Sequence, residues 1–478
     1  MLMIGRKREQ EALNRLYDGK KAELVAVFGR RRVGKTYLID ETFEGRFTFK
    51  HAGLSPAGED PQGLLQKQLL NFYNSLILAG MSERKPPKSW MEAFLYLELF
   101  LQSKDDGSRQ LVFLDELPWM DTPRSGFISA FEGFWNNFAC HRKNMMVIVC
   151  GSASAWIQDK LINNHGGLYN RVTYEIRLRP FTLHECEDFF KDNGISFSRY
   201  DIVQSYMVFG GVPFYLGCLN GSLSIPQNID ELFFKRDARL ENEFDRLFSS
   251  LFSNPEYMKS IVRQLYQRRK GYTRKQIAEA LGINANGQLS QNLNALIYSD
   301  FVVKYVPYGE SAKREYYKLI DPFCLFYLHF VDGKKREPHY WENNLTSQST
   351  VVWKGMAFEN VCFDHVEQIK KALGVSGVAS QNSAWTGMND DNEGMQIDLI
   401  IARNDNIINL CEMKFAGEDF RVDKNYYRKL LGRQSTVAAQ VSKKASVRNT
   451  LVTTLGLVHN EYSSVFSNVV LLDDLFEK

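Results

Sequence analysis

The stretch GRRRVGKT, Gly29 to Thr36, constrains this chain more tightly than any other. It spaces Gly, four residues, then Gly-Lys-Thr, directly after the apolar run ELVAVF (Glu23–Phe28) and before an amphipathic segment. A strand that runs into a glycine loop and then a helix turns successive backbone N–H groups toward one point, where the helix terminus adds partial positive charge. That point suits phosphate oxygens: glycines let the backbone wrap them, Lys35 is placed to bridge the β and γ phosphates, and the Thr36 hydroxyl to ligate Mg²⁺. Gly29, Arg30, Arg31, Arg32, Val33, Gly34, Lys35, Thr36 and Tyr37 are therefore the expected contacts to a nucleotide, with ATP and Mg²⁺ the expected cofactors. The arginine triplet makes the loop unusually basic.

A second apolar run ends in carboxylates. In LVFLDE (Leu111–Glu116), Asp115 at a strand end is placed to hold the magnesium-bound water and Glu116 to polarise an attacking water. The runs ELVAVF, RQLVFLDE, NMMVIVCGS and TYEIRL alternate with helical patterns over residues 1–180. That alternation predicts a parallel sheet wrapped by helices. Residues 181–252 are mostly helical, punctuated by GGVP at Gly210 to Pro213, and read as a helical lid.

Composition narrows the class. A chain of 478 residues exceeds what one core supports, so two to four domains are expected, and 13% aromatic residues argue against disorder. No apolar run reaches the length of a membrane helix, and the N-terminus is charged where a signal peptide is apolar, so a cytoplasmic protein without membrane contact is expected. The 7 cysteines lack a CxxC pair, which favours reduced core thiols. A net charge of +3 does not announce a nucleic-acid binder, and any such reading rests on local clusters such as Arg268 to Lys270 and Lys334 to Arg336.

Residues 253–320 change character: helices are expected over Tyr257 to Arg268, Arg274 to Leu281 and from about Gln288 to Tyr298, followed by the strand-like FVVKYV and REYYKL. This is the plan of a winged helix. Gln288, Ser290, Gln291 and Asn294 would meet base edges of DNA, and Lys304, Lys313 and Arg314 its phosphates, although the proposed recognition helix has no Lys or Arg. Residues 321–350 read as a linker and 351–478 as a second α/β unit. There QIDLIIARNDNIINLCEMKF (Gln396–Phe415) predicts a hairpin that sets Asp398 close to Glu412, with Glu412 and Lys414 on one strand face. A carboxylate pair beside a lysine can hold a divalent metal and orient water for phosphodiester attack.

Taken together, these motifs resemble known families. The first 250 or so residues resemble the prokaryotic ATPases of the STAND and archaeal-ATPase branch of AAA+ proteins. IGRKREQEAL is similar to that group's opening motif through Gly5, Arg6 and Glu9, which implies a place beside the adenine; GGVPFYL resembles its GxP motif and implies Pro213 against the base. Ser152 in CGSAS matches a sensor position near the γ-phosphate. Arg171 sits where such proteins carry a finger for a neighbouring subunit's nucleotide, implying a homo-oligomer, or it forms a surface ion pair. The pattern Asp398, Glu412, Lys414 resembles the D…ExK core of the PD-(D/E)XK nucleases, with Glu359 matching the acidic residue of their first helix and Ile397 standing where proline is common. With the ATPase it resembles the domain of unknown function DUF234. The implied fold is α/β: a P-loop NTPase with helical lid, a winged-helix middle domain and a restriction-endonuclease-like C-terminal domain. The implied activities are ATP hydrolysis coupled to DNA, with a second Mg²⁺ or Mn²⁺ at Glu359, Asp398 and Glu412, and the alternative is a STAND-type switch whose C-terminal domain is silent.

Overall fold

The computed structural model describes all residues except 1–3, 57–60, 164–165, 312, 335–336 and 389–393. Its contacts divide the chain into two compact units: Met1–Pro180 with Asp245–Met258 and Asn294–Asp300, and Phe181–Phe244 with Lys259–Leu293 and Phe301–Lys478.

The first unit is built on a five-stranded sheet of β1 (Glu23–Phe28), β2 (Phe49–Ala52), β3 (Gln110–Asp115), β4 (Met145–Gly151) and β5 (Tyr174–Arg177), in spatial order β2-β3-β4-β1-β5. Every pairing is parallel. Helices cover both faces, so β1, β3 and β4 are apolar without alternation, and neighbouring residues feed opposite cores. Leu24, Ala26 and Phe28 pack with the aromatic layer of Phe72, Trp90, Phe94, Phe127 and Phe131. Val25 and Val27 pack with Leu38, Ile39 and Phe43 on the other side. After β1 the chain crosses to the β2 edge, returns through β3 to β4, and then passes over β1 to β5. This reversal opens a crevice at the carboxyl ends of β1 and β4, where α/β sheets place ligands.

The second unit contains a helical part, a two-stranded antiparallel ribbon and a second five-stranded sheet. Helices Leu183–Asp192 and Arg199–Phe209 begin with capping boxes, Thr182 with Glu185 and Ser198 with Asp201. Between Phe209 and Pro213 the backbone closes on Phe181: the Phe181 N–H donates to the Gly211 carbonyl at 2.6 Å, and a Cβ on Gly211 would lie 1.8 Å from the Phe181 carbonyl oxygen. Helices Pro255–Tyr266, Arg274–Leu281 and Gly287–Tyr298 precede β6 (Val302–Tyr305) and β7 (Tyr316–Leu319), which pair antiparallel. Within 321–350, expected as a linker, the helix Pro322–Phe330 buries Phe323, Phe326 and Phe330, and Phe326 and Phe330 meet Trp341 and Trp353 edge to face. Lys335 and Arg336 of the basic cluster lie outside the described residues.

The second sheet comprises β8 (Ser380–Met388), β9 (Gly394–Arg403), β10 (Ile407–Lys414), β11 (Ser446–Thr453) and β12 (Phe466–Leu471), in sequence order across the sheet. The pairs β8–β9 and β9–β10 are antiparallel, while β10–β11 and β11–β12 are parallel. The helix Gln348–Asp364 packs on β10, and the helix Lys424–Gln440 crosses from β10 to β11. Among the described residues no helix is long and apolar enough to cross a membrane. Cys150, Cys186, Cys324, Cys362 and Cys411 are buried.

Candidate functional sites

The loop between β1 and the helix Lys35–Thr42 has the backbone a phosphate cradle needs. Gly34 precedes the helix at φ 88°, a left-handed conformation that glycine adopts without strain. Gly29 has φ 146°, and a Cβ there would stand 2.1 Å from the Leu178 carbonyl oxygen. Only glycine lets β1 leave the sheet so close to the chain following β5. Lys35 is 5% exposed, and its ammonium donates to the Gly29 carbonyl at 3.1 Å, the Arg30 carbonyl at 3.0 Å and Ser152 Oγ at 3.3 Å. No carboxylate lies within 4.0 Å of it among the described residues. A nearly buried cation held only by neutral oxygens has an outstanding electrostatic demand that phosphate meets. Val33 and Arg30 are buried, Arg31 lies 5.8 Å from the Trp119 ring, Arg32 takes a positive φ of 72°, and Tyr37 is exposed.

The parallel register brings the carboxylates to this loop. The Thr36 hydroxyl donates to Asp115 Oδ2 at 2.8 Å, and the Glu116 N–H donates to Asp115 Oδ1 at 2.9 Å. Glu116 turns away from β3 at φ 45° and ψ 46°, which aims its side chain at the end of β4. There the Ser152 hydroxyl donates to Glu116 Oε1 at 2.6 Å and the Ser152 N–H to Oε2 at 3.0 Å. Because β4 lies between β1 and β3, Ser152 touches both Lys35 and Glu116.

Other expected residues fall in two groups. Arg6 is buried, and its guanidinium donates to the Arg179 carbonyl at 2.7 Å and the Val33 carbonyl at 3.5 Å, tying the N-terminal motif to the loop. Gly5 beside it has φ 66°, and Glu9 lies in the first turn of the helix Lys7–Tyr17. Arg171 is exposed, and among the described residues its side chain has no ion-pair partner. Pro213 opens the short helix Pro213–Leu216 of the second unit.

The carboxylates of the second unit are held by cations. The β9–β10 register ends at Cys411 opposite Leu399, the residues that adjoin Glu412 and Asp398 in the chain. Glu412 forms ion pairs with Lys414 at 2.8 Å and Arg433 at 2.7 Å and accepts from the Tyr426 hydroxyl. Burial pushes its pKa up, but Lys414 and Arg433 outweigh burial and hold it below the usual carboxylate value. Glu359, on the helix Gln348–Asp364, pairs with Arg269, and the same guanidinium stands 3.7 Å from Asp398. Gln396 donates to Asp398. Lys318 on β7 faces this group, and burial lowers its pKa to about 8, with Asp398 opposing the shift. Glu359 and Asp398 thus share a counter-cation while Glu412 has its own. Among the described residues no three His, Cys, Asp or Glu side chains converge as a metal cluster.

A family model described as an ATPase domain predominantly from Archaea matches residues 3–219. That segment is an archaeal-type P-loop ATPase domain. An uncharacterized protein of Methanocaldococcus jannaschii is 23% identical over 441 residues, covering 91% of this chain and 92% of that protein. An uncharacterized ATP-binding protein of the same organism is 44% identical over 46 residues, 10% of this chain and 78% of that protein. Among solved structures, a Walker-type ATPase of Pyrococcus abyssi is 16% identical with a TM-score of 0.44, covering 68% of this chain and 96% of that chain. The ORC2 protein of Aeropyrum pernix is 13% identical with a TM-score of 0.43, covering 68% and 93%.

The match to the ATPase domain runs past β5 and takes in Gly5, Arg6 and Gly210 to Pro213 as well as the loop. Two cationic contacts were not legible from local motifs. Arg177, at the end of β5, pairs with Asp300 at 2.6 Å and donates to the Ile297 carbonyl at 3.2 Å. Burial raises the Asp300 pKa against the pull of Arg177, Arg179 and Arg30. Arg269 belongs to a basic cluster visible in the sequence, but nothing local marks its reach across 90 positions to Glu359. Tyr426 and Arg433, seven apart on one helix face, were detectable as a pair but not as partners of Glu412.

Proposed function

We propose that this chain is an ATP-hydrolysing protein that works on DNA, its ATPase domain controlling a winged-helix segment (253–320) and a nuclease-like domain (351–478). The observation behind the first half is Lys35, nearly buried and without a carboxylate partner, one residue from a Thr36 already bonded to Asp115. The loop N–H groups and Lys35 would hold the phosphates, Thr36 and Asp115 the Mg²⁺, and Glu116 would orient the attacking water. Mg²⁺ when bound supplies charge neutralisation at the transferring phosphate. Gly5 and Arg6 would border the base, and exposed Arg171 would serve a neighbouring copy.

The second half rests on topology and side-chain type. A helix bearing Glu359, three antiparallel strands bearing Asp398 and Glu412, a helix and then a parallel strand is the order a PD-(D/E)XK core uses. Glu359 and Asp398 already hold one cation between them, which suits a divalent ion taking the same oxygens. On the expected DNA-facing helix Gln288, Gln291 and Asn294 are exposed, whereas Lys304 and Arg314 of the ribbon pair with Glu315 and Glu310. The test is nicking of plasmid DNA in Mg²⁺ or Mn²⁺, with and without ATP, by the native chain and by Asp398→Ala. Cleavage lost in the variant supports the reading. Absence of cleavage on supercoiled, linear, branched and single-stranded DNA favours the alternative, a STAND-type switch with a silent C-terminal domain, for which the full pairing of Glu359 and Glu412 with basic residues is the supporting observation.

A further inference from the structure

Beside Glu359 the second unit contains a cavity of about 450 Å³. Leu265, Leu319, Trp353 and Met356 give it apolar walls; its polar lining includes Arg268, Arg269, Lys318, His329, Glu359 and Asn360. Two features of that lining are unsatisfied. The Lys318 ammonium has no ion-pair partner within 4.0 Å among the described residues and sits 5.0 Å from the Phe363 ring. The Asn360 Oδ1 is buried without a hydrogen-bond donor. Arg269, in contrast, is committed twice, to Glu359 and to Asp398.

We infer that Arg269 and Lys318 are the phosphate-binding residues of the Glu359–Asp398 centre, with Arg269 held as the carboxylates' counter-cation until a divalent metal replaces it. This inference rests on the nuclease-like reading of that centre. A guanidinium and a divalent ion repel each other and compete for the lone pairs of the same two carboxylates, so metal binding weakens the hold on Arg269. The released charge then joins Lys318 and Arg268 on the cavity wall, where the carboxylate that balanced it is engaged by the metal. Three cations around a half-enclosed space need an anion, and a guanidinium grips the paired oxygens of a phosphate in bidentate fashion. Metal and phosphodiester therefore bind as a pair, each removing the obstacle to the other. Reciprocity requires that each raise the other's affinity by the same factor.

The experiment measures Mn²⁺ binding to the full chain without nucleotide, by the loss of the free-ion EPR signal. It is run alone, with inorganic phosphate, and with a mixed-sequence single-stranded oligodeoxynucleotide. The relevant site is the Mn²⁺ lost in Asp398→Ala. The native chain is expected to bind that Mn²⁺ roughly tenfold more tightly with the oligonucleotide present. Lys318→Met should keep the affinity for Mn²⁺ alone and lose the enhancement; Arg269→Gln should bind Mn²⁺ alone more tightly, and Arg269→Lys should restore the native behaviour. Enhancement by phosphate alone identifies the phosphate group as sufficient, and enhancement only by the oligonucleotide identifies a strand. An Asp398-dependent site whose affinity neither additive changes, in chains whose thermal unfolding matches the native, overturns the inference and leaves the nuclease-like reading intact. No Asp398-dependent Mn²⁺ in any variant overturns that reading and the inference with it.

Discussion

Ser152 binds both oxygens of Glu116, its hydroxyl donating at 2.6 Å and its N–H at 3.0 Å. The carboxylate expected to orient water is thereby oriented itself, on a side chain that also accepts from Lys35. Glu116→Gln keeps the size of the group and removes its basicity. It should lower ATP turnover about a hundredfold or more while leaving nucleotide affinity nearly unchanged. Ser152→Ala removes the hydroxyl bond to Glu116 and keeps the N–H bond, and a smaller loss, about tenfold, is expected. Single-turnover hydrolysis with a parallel fluorescent-nucleotide titration separates the two effects. Equal losses of affinity and turnover in Glu116→Gln would count against its role.

Gly29→Ala tests whether the loop's departure from β1 depends on glycine. The added Cβ meets the Leu178 carbonyl oxygen at 2.1 Å, and the site's φ of 146° is itself unfavourable for alanine. The contact is with backbone, so no side chain can swing aside. A loss of about 3 kcal/mol or more is expected by urea denaturation, together with loss of nucleotide binding. Gly34→Ala meets no atom within 4 Å and suffers only from its φ of 88°, so its loss should be about 1 kcal/mol.

The ATPase core was legible because each of its signals is local. Strand, glycine loop and helix are contiguous in Glu23–Thr42, and Asp115 ends a run that can only be a buried strand. The antiparallel hairpin that carries Asp398 and Glu412 was legible for the same reason, since two apolar runs flank a polar turn. What the sequence concealed is long-range pairing. A carboxylate's partner is set by tertiary packing, so Arg269 for Glu359, Asp300 for Arg177 and Ser152 for Glu116 leave no periodic trace. Two residues separate the aromatic helix Pro322–Phe330 from GKKREPHYWENN, and the polar composition of that stretch masks the burial of the helix before it.

Asp300 offers a test of the first unit's electrostatics. It holds Arg177 at 2.6 Å and takes a positive φ of 60°, a conformation that asparagine tolerates and alanine does not. Asp300→Ala should therefore destabilise the fold by about 2–3 kcal/mol, combining a stranded guanidinium with backbone strain. Asp300→Asn retains the backbone preference and a hydrogen-bond acceptor, and about half that loss is expected. Equal losses in thermal denaturation would show that the backbone contributes nothing.

His365 should make the second unit sensitive to acid. Its ring is fully buried, with Nδ1–H donating to the Val361 carbonyl at 2.7 Å and Nε2 accepting from the Leu183 N–H at 2.9 Å. The neutral ring satisfies both partners, and a second proton would face the Leu183 N–H. Burial pulls the pKa from 6.5 to about 4, the Val361 contact opposing the shift. With the folded value below the unfolded one, the unfolded chain takes up the proton first as pH falls. The stability that His365 contributes is thus complete above pH 6.5 and lost as the pH falls through about 4, by roughly 3 kcal/mol in all. His51 in the first unit shifts in the same direction, to about 3, so the native chain alone cannot assign the effect. His365→Gln supplies the assignment. It should be less stable at pH 7.5, yet its urea midpoint should change less steeply between pH 6.5 and 4, by the uptake of about one proton. An unchanged slope would mean that His365 does not titrate in that window.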